Sequence, residues 1–140
     1  MRILITGTDA DGRSCAVSHD EPSFAPLGPG FSFAHLYETA GPPGPRPAGN
    51  AELHDLALAP GAVRWMLVDY GPGADTQHHQ TDSWDFEVLL EGSVTLTLDD
   101  GPHEFRAGDC MLMTGVDHTW KAGSEGARIS VVCLGTPPPD

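Results

Sequence analysis

The sequence predicts an all-β protein. We expect a sandwich or a barrel in which consecutive strands of the chain are paired with each other. From residue 63 to residue 134, short apolar runs alternate with turn residues, and no convincing helical pattern lies between them. The chain also holds 17 glycines and 13 prolines among 140 residues, well above their usual combined share of about 12%. Short strands at this spacing, bounded by turn residues, are typical of sandwiches and barrels.

Length and charge limit the classes of function. We expect one domain over residues 1–140, with strands and loops forming an arm up to residue 62, a core over 63–134 and a tail over 135–140. Seven basic residues against 20 acidic ones give a formal net charge of −13. Nucleic acids and anionic membranes attract clustered basic residues, so neither is an expected partner. No apolar run suits a signal peptide or a membrane span, which predicts a cytoplasmic protein.

The cysteines are expected to be buried free thiols. Cys15, Cys110 and Cys133 are odd in number and lack CxxC spacing, so they indicate neither a disulfide framework nor a zinc ribbon. Cys110 follows Asp109 without a nearby positive charge that would favour its thiolate, and we do not expect it to be a nucleophile.

The arm begins with two predicted edge strands, at residues 2–6 and 15–18, joined by a turn rich in Asp and Gly. Three prolines within residues 20–30 predict an irregular stretch. Residues 31–38 then predict another strand, whose alternation places Phe31, Phe33, His35 and Tyr37 on one face.

Two further segments of the arm have less regular patterns. Residues 41–50 contain four prolines and three glycines, which predicts a surface loop that could act as a mobile flap. Residues 51–59 predict either two helical turns, with Asn50 as the N-cap, or an extended chain.

From residue 63 onward the strand signals become regular. The breaks between them contain Gly, Asp and Pro, the residues that turns require. The predicted strands cover residues 63–70, 76–80, 85–91, 93–99, 103–107, 110–114, 118–122 and 127–134.

Two segments of this core carry a recognisable motif pair. Residues 73–92 read GADTQHHQTDSWDFEVLLEG, and residues 108–118 read GDCMLMTGVDH. They resemble the cupin motifs G-x5-H-x-H-x3–4-E-x6-G and G-x5-P-x-G-x2-H-x3-N, which supply three His and one Glu to a metal ion. The resemblance covers about residues 63–134 and implies a cupin-type jelly-roll β-barrel, or double-stranded β-helix, with an N-terminal β arm.

The resemblance also implies a set of metal ligands. His79 stands at the first His of the motif, Asp85 at its Glu, seven residues before Gly92, and His118 at the His of the second motif. Thr81 replaces the second His, which removes one of the family's usual ligands.

A narrower likeness is to small bacterial and fungal cupins that carry HRTDTxDY, VLEGE and GTNHAW. The corresponding stretches here are HQTDSWDF from residue 79, VLLEGS from residue 88 and GVDHTW from residue 115. That subgroup contains mostly unassigned enzymes and accessory proteins, several associated with natural-product pathways. It implies a small organic substrate, such as an aromatic compound or a carboxylate.

Strand geometry adds an independent expectation about these residues. Side chains two apart on a strand share a face, so if Asp85 points inward, Glu87 does too, and His118 shares a face with Trp120. A buried unpaired carboxylate is costly, so Asp85 should be paired, protonated or metal-bound. Two His and one carboxylate from different strands suit Fe(II) or Zn²⁺.

Two alternatives remain open at the ligands. In a metal-free protein, His79 and His118 would hydrogen-bond Asp85 and Thr81 as a buried polar network. His78 faces away from His79 in a regular strand, but a bulge would turn it inward as a further metal ligand.

Three functions are therefore compatible with the sequence. The first is a metal-dependent enzyme with Fe, Zn, Mn or Ni, in which Glu87 is the general base for oxidative or acid/base chemistry. The second is a metal-free lyase, dehydratase, isomerase or cyclase in which His79 or His118 moves a proton. The third is a non-catalytic protein that binds a small molecule. No other cofactor is expected.

The remaining ring side chains carry weaker expectations. His19, His54 and His103 are expected to be solvated, and Trp65, Trp84 and Trp120 either line a pocket or pack in the core. We also expect a homodimer, because cupins of this size commonly pair sheets or exchange N-terminal strands, for which the edge strands of residues 2–18 are suitable.

Overall fold

The computed structural model describes all 140 residues, and it is all-β, as the sequence predicts. No helix in it has the length and apolar character needed to cross a membrane. In chain order the strands are β1 (Ile3–Thr8), β2 (Ser14–Asp20), β3 (Ala25–Gly28), β4 (Phe31–Phe33), β5 (Glu52–Leu53), β6 (Val63–Tyr70), β7 (His79–Gln80), β8 (Ser83–Leu98), β9 (Gly101–Arg106), β10 (Cys110–Met113) and β11 (Thr119–Gly135).

Seven strands form one large sheet in the order β2-β1-β10-β8-β11-β6, with β9 paired to β8. Within this sheet the β1–β10 pair is parallel, and all the other neighbouring pairs are antiparallel. Because β1 lies between β2 and β10, only β2 of the predicted N-terminal edge pair is an edge strand. Two small sheets, β3-β4 and β5-β7, lie outside this large sheet.

The two longest strands, β8 and β11, are continuous where the sequence predicted four separate strands. Gly92 and the turn-like residues 123–126 were expected to end strands, but β8 runs through the first and β11 through the second. Gly92 has φ 74°, and a Cβ placed on it would lie 1.9 Å from the carbonyl oxygen of Gly126. Two facing glycines therefore let the strand pair bend, with a register shift between Ala122 and Ala127.

The strand expected over residues 31–38 is mostly absent. Only Phe31–Phe33 pairs, with β3, and the rings of Phe31 and Phe33 are exposed rather than buried. His35, expected in the core or a pocket, has a side chain that is 72% exposed. Residues beyond Phe33 have no partner strand, and alternation without a partner does not bury a face.

Residues 51–59 are extended, so the helical alternative is wrong. The backbone N–H of Ala57 donates to the carboxylate of Asp55 at 2.7 Å, and Ala57 itself adopts φ 50°. Both features compete with helix formation. The segment instead places Leu56 and Leu58 against the hydrophobic core.

The proline-rich loop of residues 41–50 is anchored at its second half. Arg46 is buried and pairs with Asp82, and its Nη1 donates to Oε1 of Gln80 at 2.5 Å. The backbone N–H of Asn50 donates to Asp117 at 2.7 Å. The loop is therefore tied to the residues next to β7 and β11, unlike the mobile flap that its composition suggested.

One apolar cluster forms the core, centred on inward side chains of β8, β11 and β10 such as Leu89, Ile129 and Met111. The cysteines are free, as expected. Cys110 and Cys133 are buried, whereas Cys15 on β2 is partly exposed.

Gly92→Ala is expected to lower the free energy of unfolding by about 3 kcal/mol or more, because it combines left-handed strain with a backbone clash. Gly108→Ala is the matched control: Gly108 has φ 95°, but no atom lies within 4 Å of an added Cβ. It should cost only the strain, about 1–2 kcal/mol. Urea unfolding of both variants checks the difference; equal losses would show that the Gly92–Gly126 approach is not tight.

Candidate active site

A pocket with a cavity volume of about 470 Å³ opens on the face of the sheet formed by β6, β8 and β11. This volume lies within the range of about 300–1,000 Å³ that ligand pockets usually have. No Lys or Arg lines it. Imidazole and carboxyl groups line one side, and the apolar side is formed by Leu53, Leu56, Met66, Val68, Trp120 and Val131.

His79 and His118 lie side by side in this pocket. Their backbones pair in both directions, with His79 N–H to His118 O at 3.0 Å and His118 N–H to His79 O at 2.9 Å. The ring centroids are 4.2 Å apart. His118 is buried beside Trp120, and His79 is partly exposed. Two imidazoles that are distant in sequence therefore meet at one place.

Both imidazoles are held in the same way. Nδ1 of His79 lies 2.8 Å from the carbonyl oxygen of Gln77, and Nδ1 of His118 lies 2.8 Å from that of Val116. A carbonyl oxygen only accepts, so each Nδ1 carries the hydrogen and donates it. The lone pair of each ring is then on Nε2, the arrangement that suits a metal ligand or a proton acceptor.

Two carboxyl groups carried by β8 lie beside the imidazoles. Asp85 and Glu87 point inward and are 8% and 7% exposed. Oδ1 of Asp85 accepts from the Ser83 hydroxyl at 2.7 Å. Burial raises the pKa of Asp85, although hydrogen bonds from Ser83 and Cys133 and the nearby His79 oppose the shift. Asp85 is therefore partnered within the protein.

Glu87 is in a different state. Its Oε2 is buried and has no hydrogen-bond partner. Burial, and secondarily the charge of Asp85, raises the pKa of Glu87 well above its ordinary value. Tyr70 also lines the pocket. Burial, followed by the nearby charges of Glu87 and Asp85, raises the pKa of its hydroxyl to about 12. Burial thus favours the protonated forms of Glu87 and Tyr70, and these forms can donate a hydrogen bond to a ligand.

His118 stays neutral at ordinary pH. Burial, followed by the neighbouring charges of His79 and His78, lowers the pKa of His118 to about 3, and the hydrogen bond to Val116 only partly opposes this. A neutral imidazole with a free Nε2 accepts a proton, and a neutral carboxylic acid donates one. The site therefore contains an acceptor and a donor within one pocket.

The donor types suit a divalent metal ion, but their arrangement does not by itself hold one. Two free Nε2 atoms, the carboxyl of Asp85 and the unpartnered Oε2 of Glu87 are the nitrogen and oxygen donors that Zn²⁺ and Fe(II) take. No three His, Cys, Asp or Glu side chains are arranged together to hold an ion. These donors therefore match a divalent ion in their chemistry, but no third side chain is placed with the two imidazoles to complete a binding site.

The other residues singled out from the sequence lie around this centre. His78 is exposed at the pocket mouth. Thr81 is buried, and its hydroxyl oxygen lies 3.1 Å from that of Ser83, so it belongs to the group of hydroxyls that reaches Asp85. Nδ1 of each imidazole bonds to a backbone carbonyl, so in the polar network expected without metal only Nε2 is available for Asp85 or Thr81.

His54 is a pocket residue that the sequence did not identify. Its ring centroid lies 5.8 Å from that of His79, and its backbone N–H donates to Gln80 O at 2.8 Å. It was expected to be solvated, and its side chain is indeed exposed, but at the pocket mouth. Its position depends on the parallel pairing of β5 with β7, which a two-residue strand does not reveal.

Of the three tryptophans, only Trp120 lines the pocket. Trp65 is 77% exposed on the opposite face of the sheet. Trp84 is partly exposed and contacts Tyr37, with ring centroids 5.7 Å apart.

Comparison with known proteins places this site in a family context. Phomopsin biosynthesis cluster protein C' of Diaporthe leptostromiformis is 35% identical over 69 residues, 49% of this chain and 36% of that protein. Dimethylsulfoniopropionate lyase DddW of Ruegeria pomeroyi is 37% identical over 79 residues, 56% of this chain and 52% of the lyase. The chain thus spans about half or less of the length of these curated relatives.

A crystal structure of a protein of unknown function from Rhizobium leguminosarum has a similar fold. It aligns with a TM-score of 0.50 and 21% identity, covering 54% of this chain and 72% of its own. The Cupin_2 family, described as Cupin domain, matches residues 66–135, half of the chain. These residues include the imidazole pair and both carboxyl groups. The chain therefore belongs to the Cupin_2 family and has the cupin fold.

Proposed function

We propose that this protein is a cupin enzyme that moves a proton on a small organic molecule bound in the pocket. The observation that carries the proposal is the pair of imidazoles anchored through Nδ1, with Nε2 free, beside the buried carboxyl group of Glu87, which has an unpartnered oxygen. A proton acceptor and a proton donor in one ligand-sized pocket are the requirements of general acid/base catalysis. The similarity to a lyase and to a protein of a natural-product cluster supports a small-molecule substrate.

We further propose that His79 and His118, joined by Asp85 once its carboxyl group turns from Ser83 towards them, hold a divalent metal ion, one of Fe, Zn, Mn or Ni. When bound, such an ion would polarise an oxygen atom of the substrate and lower the pKa of the adjacent group. The two anchored imidazoles are oriented for this role before any ion arrives. His78 lies at the mouth and would have to turn inward to take part.

The chain's own residues define the rest of the mechanism. The apolar side of the pocket would hold the carbon skeleton of the substrate and exclude water. Nε2 of His118 would accept a proton from the substrate. Glu87, which the sequence predicts to be the general base, is better suited to donate a proton, because burial favours its protonated form. Tyr70 would assist as a second donor to a developing negative oxygen.

A metal-free version of the same chemistry is the second candidate. It is favoured by the observation that no three side chains are arranged to hold an ion. His79 and His118 would then act as acceptors without a Lewis acid, in the way that a lyase or isomerase uses a histidine.

Metal analysis separates the two candidates. Protein purified without a His-tag and treated with Fe²⁺, Mn²⁺, Ni²⁺ or Zn²⁺ should retain about one ion per chain, measured by elemental analysis after desalting. His79→Ala and His118→Ala should each lose the ion, since each removes a nitrogen ligand. His103→Ala is the matched control, because His103 pairs with Asp100 at the surface. Absence of metal from the wild type under every condition excludes the metalloenzyme.

The state of Glu87 predicts a pH dependence in metal-free protein. Its pKa is raised in the folded state, so the folded protein keeps a proton that the unfolded chain releases above about pH 4.5. The stability associated with this group is therefore complete at lower pH and is lost as pH rises. Glu87→Gln should remove that loss, so its stability relative to wild type should grow with pH, by at most about 1.4 kcal/mol per pH unit.

Unfolding at pH 5, 6.5 and 8 in the presence of a chelator measures this difference. Glu91→Gln is the control, because Glu91 lies on the same strand but is exposed and pairs with Arg128. It should follow the wild-type pH dependence. A constant offset between Glu87→Gln and wild type would mean that Glu87 is ionised in the folded protein.

Turnover tests the enzymatic proposal itself. In a mass-spectrometric screen of small carbonyl and carboxylate compounds, wild type should convert at least one, and His118→Ala should reduce kcat by about 10²–10⁴-fold. A compound that raises the melting temperature without forming product would indicate a binding protein instead.

A further inference from the structure

The two imidazoles of the pocket are carried by segments with little regular structure. Strand β7 contains only His79 and Gln80, and His118 precedes β11. The backbones of His79 and His118 pair with each other as an isolated bridge rather than within a long ladder. Catalytic and binding groups need to be held to within about 0.5 Å of their working geometry. Contacts outside the large sheet must therefore help to hold these two rings.

Residues 46–50, which we call the strap, hold the segment of His79. Gln80 follows His79 and is buried. Its Oε1 accepts from Nη1 of Arg46 at 2.5 Å, and its Nε2 donates to the carbonyl oxygen of Ala51. Both ends of this amide are therefore bonded to the strap or to the residue that follows it, so the side chain cannot turn without breaking a hydrogen bond.

The strap also holds the segment of His118. Asp117 precedes His118 and is buried. Its Oδ2 accepts from the backbone N–H of Asn50 at 2.7 Å. Its Oδ1 is buried without a hydrogen-bond partner and lies against Gly49, where an added Cβ would be 2.0 Å away from it. Close packing as well as hydrogen bonding therefore fixes Asp117 against the strap.

Gly49 is the residue of the strap that meets both segments. A Cβ on Gly49 would also lie 2.6 Å from Oε1 of Gln80. Gly49 does not have a positive φ, so it is the lack of space, and not the backbone conformation, that requires glycine here. The strap reaches Gln80 and Asp117 together only because Gly49 has no side chain.

Arg46 anchors the strap. It is 7% exposed, and its guanidinium pairs with Asp82 as well as with Gln80. A planar guanidinium can bond two groups at once in a fixed geometry, which the ammonium of Lys cannot do. Burial of a charged pair contributes little net stability, so the position of Arg46 is better explained by the geometry that it fixes.

We propose that Arg46 and Gly49 are positioning residues, which fix the two imidazoles by holding the residue next to each of them. Side chains alternate along a strand, so Gln80 faces the strap while His79 lines the pocket. Adjacent residues are joined by a rigid peptide unit, so a displacement of Gln80 also displaces His79. The inference rests on the proposed function, in which both imidazoles accept a proton or bind an ion.

Gly49→Ala, made in the full chain, tests the positioning. The added Cβ needs roughly 1 Å more room than the strap provides, and a misplacement of about 1 Å is enough to lower a rate by about 10²-fold. In metal-free, ¹⁵N-labelled protein, the imidazole nitrogen signals of His79 and His118 should shift from their wild-type positions. Gly44→Ala is the matched control, because Gly44 lies in the same loop, has no positive φ and has no atom within 4 Å of an added Cβ.

The imidazole signals separate positioning from stability. A variant that is only less stable should have a lower melting temperature and unchanged signals in the folded protein. The exposed ring of His35 is an internal reference, and its signals should be the same in every variant. For any compound that the wild type converts, Gly49→Ala should lower kcat by about 10–100-fold and change KM by about twofold or less.

Arg46→Lys is the second variant, and it replaces Gly49→Ala if that protein does not fold. Lys keeps a positive charge near Asp82 but cannot also bond to Gln80. The signals of His79 should therefore shift. Arg13→Lys is the control, because Arg13 is exposed and donates only to the carbonyl oxygen of Asp99.

The outcomes for the strap and for the enzyme can be told apart. If neither variant shifts the signals of His79 or His118, the inference is overturned and the proposed function is unaffected. If only one variant does so, the residue changed in the other is removed from the inference. Shifted signals in a protein that converts no compound support the inference and contradict the enzymatic proposal.

Discussion

The antiparallel pairing of β8 with β11 is the interaction on which the rest of the structure depends. It joins strands β6, β9 and β10, which pair with one or other of the two, into one sheet. It also places Asp85 opposite Cys133 and Glu87 opposite Val131, so both carboxyl groups are buried by the partner strand. The pairing stays continuous only because Gly92 and Gly126 approach each other closely at the bend.

Burial of these carboxyl groups is costly, and the structure compensates for the two in different ways. Asp85 receives hydrogen bonds from Ser83 and Cys133, which stabilise it within the protein. Glu87 has an oxygen without any partner, in surroundings that favour its neutral form. An uncompensated polar atom in a core is destabilising, so a bound ligand that accepts its proton, or coordinates its oxygen, would relieve that cost. Asp85 is hydrogen-bonded and Glu87 has an unpartnered oxygen, and this difference distinguishes the site from an interior in which every polar group is satisfied.

Much of this arrangement could be predicted from the sequence, because it depends on local patterns. The strand predicted over residues 63–70 has the same bounds as β6 in the structure. The two-residue period of a strand also correctly places Asp85 and Glu87 on one buried face. His54 could not be found in this way, since its place at the pocket depends on a two-residue parallel pairing between distant segments. The prediction for residues 31–38 was wrong for the opposite reason: their alternation is strong, but only Phe31–Phe33 has a partner strand, and that strand is itself exposed.

Strand β8 carries carboxyl groups on one face and apolar side chains on the other over residues 84–88. Asp85 and Glu87 point into the pocket, while Trp84, Phe86 and Val88 between and beside them point outward. Because successive side chains of a strand alternate, a one-residue slip in register would exchange these sets and bury the apolar row where the carboxyl groups now lie. The long ladder to β11 prevents such a slip. The same pairing that holds Asp85 and Glu87 in the pocket therefore also keeps the apolar row of β8 on the opposite face of the sheet.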